Sequence, residues 1–425
     1  MPGEEDEVLQ HAPVTPVSLE IDGRSWTAAD PREICRGECA GTIEYIPNRE
    51  GYVAHPGDHA DGKRIYVCDS ASMALRPLIP HALGFVFGEG ATLGHFSGVL
   101  RHHRIPACID QHLWRQAREA LLAAGSGSQG RLCCSRAVVL PEVVRAQYLA
   151  QLEGYRRRLG GHPLALPVYD VSGRAAWVAT DEAVDVRIGE KALAVNALQV
   201  EGFPTARALI LANLTGQDTR LDKDLSFVAL VERIFPLFGH VPGYALMVRG
   251  SLYSADGSHS AWSGLLPSPA VTSLPALASA VASHVSRWRG VQDDGDHRPG
   301  LSIILQERVT APVRGVLGTG RPWDYNAQGV VAELTLNHGT GAAQDEVFLG
   351  DVQAGLRNGL VRQTARSFFR QNATIDAEGF CETFACLVRD ALLLRDRYSV
   401  PLDIEFVITG DLHYVFVQFR PLFRL

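Results

Sequence analysis

His95 stands in the stretch GEGATLGHFSGVLRHHRIPACI (88–109), at the mouth of a glycine-rich turn and ahead of an apolar run. A neutral imidazole is a good nucleophile near pH 7. At a helix start the outward N–H groups and the helix dipole favour an anion. Gly94 lets backbone approach closely. These residue types in this order suit a histidine that carries a phosphoryl group. A lone histidine in a turn is more commonly structural or solvated, so both readings stand on this stretch alone.

A second stretch, PLDIEFVITGDLHYVFVQFRPL (401–422), reads as two strands flanking Thr409-Gly410-Asp411-Leu412, a hairpin signal. Strict alternation puts Tyr414, Phe416, Gln418 and Arg420 on one face and Val415, Val417 and Phe419 on the other. Glu405 then lies across from Gln418. A carboxylate and an amide oxygen held side by side on rigid strands can ligate Mg²⁺, a hard cation that often bridges phosphates. Arg420, two residues on, would neutralise charge on a transferring phosphoryl group. An exposed hairpin face with scattered polar residues explains the same stretch equally well. Two basic residues join the set. Lys191 follows a glycine at a helix start in VRIGEKALAVNAL, and Arg249 ends an apolar strand in ALMVRGSLYSADGSHSAWSG. Both are usual phosphate partners, one as a point charge and one as a fork.

Elements must hold these groups in place. Leu83–Phe87 reads as a buried strand, with helices expected near 71–82, 95–103, 111–125, 141–159 and 277–291. LSIILQERV (301–309), GVVAELTL (329–336), LDIEFVIT (402–409) and HYVFVQFR (413–420) read as strands. GSGSQG (125–130) reads as a flexible break. Cys381 and Cys386 fall on an expected amphipathic helix, where core packing is their expected role.

The 425 residues suit two or three domains. A net charge of −7 without a basic run argues against nucleic acid as a partner. No apolar run of about 18 residues appears, so no membrane helix is expected. The acidic start, MPGEEDEVLQ, lacks a signal-peptide core and reads as a frayed tail. The eight cysteines are expected to stay reduced in a cytoplasmic setting. Cys35 and Cys39 lack a second Cys/His pair at finger spacing, so zinc is not expected.

Together these stretches resemble the phosphoenolpyruvate synthase / pyruvate phosphate dikinase family. The first is similar to that family's Gly-Gly-x-Thr-Ser/Cys-His signature before an aliphatic helix and Gly-Ile-Pro-Ala, with Arg101 six and Pro106 eleven residues after His95. Leu93 and Gly94 replace the usual Thr and Ser/Cys. IGEKALAVNALQVEGFP resembles the opening of the family's nucleotide-binding domain, VRGSLYSADGSHSAWSG its arginine motif, and DIEFVITGDLHYVFVQFRP its Asp-Ile-Glu-Trp…Gln-x-Arg-Pro motif. Ala255 stands where a glutamate is usual, and NHGTGAAQ lacks the acidic residue usual there.

The resemblance implies an α/β (α+β) chain in four parts. They are a disordered tail (1–15), a swivelling phosphohistidine domain (16–124), a linker and helical connector (125–167), and a two-lobed ATP-grasp domain (168–425). The histidine domain comes first, the reverse of the usual family order, and VSLEIDGRSW resembles the strand that normally closes it. The resemblance further implies ATP and Mg²⁺ as cofactors. Lys191, Arg249, Gln306, Glu333 and Arg420 would contact nucleotide, Glu405 and Gln418 would hold metal, and His95 and Arg420 would be catalytic. The family's pyruvate barrel has no counterpart in this sequence. The expected acceptor is therefore a small molecule, or one held by a partner subunit, with no nucleic acid or membrane involved. The alternatives are a phosphocarrier module and a regulatory protein that binds nucleotide without turnover.

Overall fold

The computed structural model describes residues 16–29, 31–48, 63–90, 95–124, 127–134, 142–170, 178–179, 188–212, 245–253, 266, 268–289, 300–320, 329–337 and 344–422. The expected tail, Leu93 and Gly94, Ala255 and the centre of NHGTGAAQ lie outside them. The chain divides into two compact units, Met1–Val144 and Arg145–Leu425. Both are mixed α/β. Among the described residues no helix is long and apolar enough to cross a membrane.

In the first unit the strands are β1 (Ser18–Ile21), β2 (Arg24–Thr27), β3 (Arg32–Cys35), β4 (Gly37–Ile46), β5 (Arg64–Ser70), β6 (Ala82–Glu89), β7 (Ala107–Ile109) and β8 (Gln129–Cys134). Its helices are α1 (His95–His102) and α2 (Gln111–Ala124), with a 3₁₀ helix over Met73–His81. One sheet runs in the order β2-β1-β8-β4-β5-β6-β7-β3, with β4, β5, β6 and β7 parallel. Its centre is covered on both faces, as parallel strands require. Tyr66, Cys68, Phe85 and Phe87 turn toward Leu78, Phe96 and Leu100. Ile65, Val67 and Val86 turn toward Leu113, Ala117 and Leu121 of α2.

The expected linker and connector divide between the two units. β8 is an interior strand, paired with both β1 and β4. At the end of the glycine-rich run, Gly130 lies inside β8 where neighbouring strands crowd it, while Gly127 has a left-handed φ of 100° and open space around it. A side chain at Gly130 would start 3.0 Å from the Glu20 carbonyl and 3.2 Å from the Ile43 side chain. The helix after it, α3 (Glu142–Gly160), packs within the second unit, where Tyr155 meets Tyr398 and Phe419 at centroid distances of 5.4 and 6.2 Å.

The second unit has two sheets. The first contains β9 (Val168–Asp170), β10 (Val178–Ala179), β11 (Ala208–Ala212), β12 (Leu246–Tyr253), β13 (Ala270–Val271) and β14 (Gly300–Glu307), in the order β10-β9-β11-β14-β12-β13. Leu305, Val248 and Ile303 face Leu277, Val281 and Trp288 of α5 (Leu274–Arg289). Ile304, Ile210 and Ala208 face Ala192 and Val195 of α4 (Glu190–Val200).

The second sheet is antiparallel: β15 (Val313–Gly318), β16 (Val331–Asn337), β17 (Gln344–Leu349), β18 (Leu402–Ile408) and β19 (Tyr414–Pro421), in the order β17-β16-β15-β18-β19. Phe406 and Phe419 meet Phe384 and Tyr398 of α6 (Ala377–Tyr398) at 6.0 and 5.1 Å. The buried stripe of α6 includes Phe380, Phe384, Leu387 and Leu394. Cys381 is half-buried and Cys386 exposed, which corrects the expectation that both pack in the core.

Candidate functional site

The site begins with hairpin register. Glu405 pairs with Gln418 and Asp403 with Arg420, so these four side chains share one face of the second sheet. Between Glu405 and Phe406 the register shifts, and Phe406 pairs with Phe416. Val417 is the extra residue of this β-bulge. The bulge corrects the strict alternation expected for β19. Phe416 belongs with Phe406 and Phe419 on the apolar face, while Gln418 and Arg420 stay on the polar one. It also frees Phe416 backbone for other partners. The Phe416 N–H donates to Pro204 carbonyl at 2.8 Å, and the Thr205 hydroxyl donates to Phe416 carbonyl at 3.0 Å.

The first sheet supplies the matching half. Arg249 lies opposite Ile304 and Met247 opposite Gln306, which places Arg249 and Gln306 on the face that carries α4. From there the Arg249 guanidinium reaches the second sheet. Its Nη2 donates to Glu405 Oε2 and to Gln418 Oε1, each at 2.8 Å, and its Nη1 donates to Gln306 Oε1 at 3.1 Å. Gln306 Nε2 donates in turn to Val417 carbonyl at 3.1 Å, the residue that the bulge adds. Four of the sequence-predicted residues, Arg249, Gln306, Glu405 and Gln418, thus form one cluster between two sheets. Arg249, Gln306 and Gln418 are buried, and Glu405, with 23% of its side chain exposed, opens the cluster toward solvent.

Arg420 sits beside them in an ion pair, its Nε and Nη2 donating to Asp403 Oδ2 at 2.8 and 2.7 Å. Burial works against the Arg420 charge, yet Asp403, Glu405 and Glu190 together hold its pKa above the ordinary arginine value. Asp403 Oδ1 is buried without a hydrogen-bond partner among the described residues. Sequence reasoning passed over Asp403. The pairing that sets Glu405 against Gln418 also sets Asp403 against Arg420, so the signal was present in the hairpin itself.

Lys191 lies in the first turn of α4, whose start is fixed by β12 and β14. Gly189 N–H donates to Ser302 Oγ, Ala192 N–H donates to Ser251 Oγ, and Ser302 Oγ donates to Ser251 carbonyl. A side chain at Gly189 would start 2.3 Å from Ser251 Oγ and 2.6 Å from Leu252 carbonyl. The glycine before Lys191 is therefore required by helix-on-strand packing. Neither serine stood out in the sequence. α4 packs against β19, the strand that carries Arg420.

Glu333 stands apart from the cluster. It pairs with Val316, which pairs with Glu405, so it shares the polar face two strands away. At the usual strand spacing that is about 9–10 Å of backbone. His95, in the other unit, is the first residue of α1 and follows the carboxyl end of β6. Parallel α/β sheets commonly bind ligands beyond the carboxyl ends of their strands. Phe96 anchors the helix start edge-on to Phe85 and Phe87 at 5.7 and 6.1 Å.

The donor set fits a hard divalent cation, because the Glu405 and Gln418 oxygens converge on a single point. Glu405 is the one carboxylate of that pair. Among the described residues no group of three or more His, Cys, Asp or Glu side chains forms a metal site.

No family profile and no curated protein matches the chain. Among solved structures, it is similar to the D-alanine-D-alanine ligase from Coxiella burnetii at 12% identity and a TM-score of 0.26, over 55% of this chain and 47% of that one. The chain thus aligns with about half the length of that ligase. It is also similar to the macrocyclase MdnC from Microcystis aeruginosa MRC, bound with precursor peptide MdnA, at 10% identity and a TM-score of 0.29 over 68% of each chain.

Proposed function

We propose that this protein is an ATP-dependent phosphotransferase of the dikinase type, related to the phosphoenolpyruvate synthase / pyruvate phosphate dikinase family. His95 takes the β-phosphoryl group of ATP, AMP leaves, and one water releases the γ-phosphate as inorganic phosphate. The phosphohistidine then donates to a small-molecule acceptor, and the freed imidazole returns for another cycle. One observation carries the reading: Arg249, Gln306, Glu405 and Gln418 converge between two sheets, with the Arg420–Asp403 pair beside them.

Phosphoryl transfer depends on positioning and charge neutralisation, with little covalent work for the protein. Arg420, buried and kept charged by its carboxylate neighbours, would bind the terminal phosphates. Arg249 would hold a phosphate as a fork, and Lys191 would add a point charge from the head of α4. Glu405 and Gln418 would hold Mg²⁺, which when bound neutralises and bridges phosphate oxygens. The bulge fixes Gln306 against Val417, and so fixes the guanidinium that Gln306 accepts from.

The test is transfer of label from β- and γ-labelled ATP to wild type and to His95→Ala. The expected result is acid-labile, alkali-stable β-label on wild type, its loss in His95→Ala, and AMP released in step. Label retained in His95→Ala sinks the phosphohistidine. Bound ATP without AMP or label would leave a regulatory nucleotide-binding protein.

A further inference from the structure

We propose that Arg249 interlocks cation and nucleotide binding, and this rests on the function proposed above. A single nitrogen, Arg249 Nη2, lies 2.8 Å from both Glu405 Oε2 and Gln418 Oε1. Those are the two oxygens that suit a divalent cation. A guanidinium on the same oxygens and a metal ion are mutually exclusive, by geometry and by like charge. The arginine forms an ion pair with Glu405, and it is buried, so it cannot simply turn into solvent.

Removing it from those oxygens requires a new anionic partner for the guanidinium. A nucleotide phosphate is such a partner, and it brings oxygens of its own to complete the cation's shell. Gln306 serves as the pivot: it accepts from the other terminal nitrogen while tied through its amide to Val417 carbonyl. Cation and phosphate therefore enter together, and each raises the affinity for the other by the same factor. One residue thus has two states: it guards the cation ligands in the free protein and binds phosphate in the loaded one.

The test measures Mn²⁺ binding without nucleotide, by the electron paramagnetic resonance signal of free Mn²⁺, for wild type, Arg249→Met and Arg249→Met/Glu405→Gln. The expected result is weak Mn²⁺ binding to wild type, at least tenfold tighter binding to Arg249→Met, and loss of that gain in the double variant. Equal Mn²⁺ affinity in wild type and Arg249→Met overturns the interlock, as does a gain that survives Glu405→Gln. If Arg249→Met does not melt like wild type, Arg249→Gln replaces it and is judged by the same outcomes. Binding of the β,γ-imido analogue of ATP to wild type, with Mn²⁺ present, is measured in parallel. Its failure removes the proposed function and with it the nucleotide half of the interlock, whereas the Mn²⁺ comparison decides whether Arg249 guards the cation ligands.

Discussion

The central sheet of the first unit and the second sheet of the second unit spend their buried faces differently. In the first, the middle strands turn aromatic and aliphatic side chains to both sides, as Tyr66, Phe85 and Phe87 on one and Ile65, Val67 and Val86 on the other show. In the second, one face is apolar against α6, while the other carries Asp403, Glu405, Gln418 and Arg420. Apolar burial stabilises without regard to direction. Buried ion pairs contribute little net stability and demand close geometry. The polar face therefore holds the groups on which the proposed function depends.

That contrast can be broken by mutation. Phe85→Ala removes a fully buried ring stacked on Phe87 at 5.3 Å and edge-on to Phe96. It should cost the first unit about 3–5 kcal/mol, read as a lower urea midpoint. Asp403→Ala leaves the buried Arg420 guanidinium without its carboxylate and should cost the second unit about 3 kcal/mol. The double variant Asp403→Leu/Arg420→Met should recover most of that loss while abolishing nucleotide binding. Failure to recover would mean that the ion pair itself stabilises the second unit.

A weaker effect sharpens the comparison by pH. Burial pushes the Cys35 thiol up to about 11 and the Cys39 thiol up to about 12. In the unfolded chain these thiols ionise near pH 8.5. A raised folded pKa means that their contribution is fully present below the unfolded value and declines as pH rises toward the folded one. In the second unit, burial likewise raises Tyr398 and Tyr414, whose unfolded phenols ionise near pH 10. The first unit should therefore begin to lose stability more than one pH unit below the second. Cys39→Ala should flatten the early part of that loss, as hydrogen exchange resolved by unit would report.

Much of the local structure was legible. The helices near 95–103, 111–125 and 141–159 formed within a residue or two of their expected bounds, because apolar spacing of three and four residues has few other solutions. The hairpin at Thr409–Leu412 and the pairing of Glu405 with Gln418 were legible too. What misled were local cues with two physical meanings. Gly130, read as part of a glycine-rich break, sits inside β8 where strands crowd it. Alternation reads as two clean faces, yet one extra residue, Val417, moves Phe416 to the other side.

The sequence by itself determined which residues carry charge and which neighbours in a hairpin share a face, since both follow from residue type and from a period of two. Only the tertiary structure decided that Arg249 of one sheet meets Glu405 and Gln418 of another, across 156 and 169 positions of chain. It likewise decided that Ser251 and Ser302 hold the head of α4. Such contacts depend on how two sheets and a helix pack, and packing is set by the summed shapes of many buried side chains. No short window of sequence contains that sum.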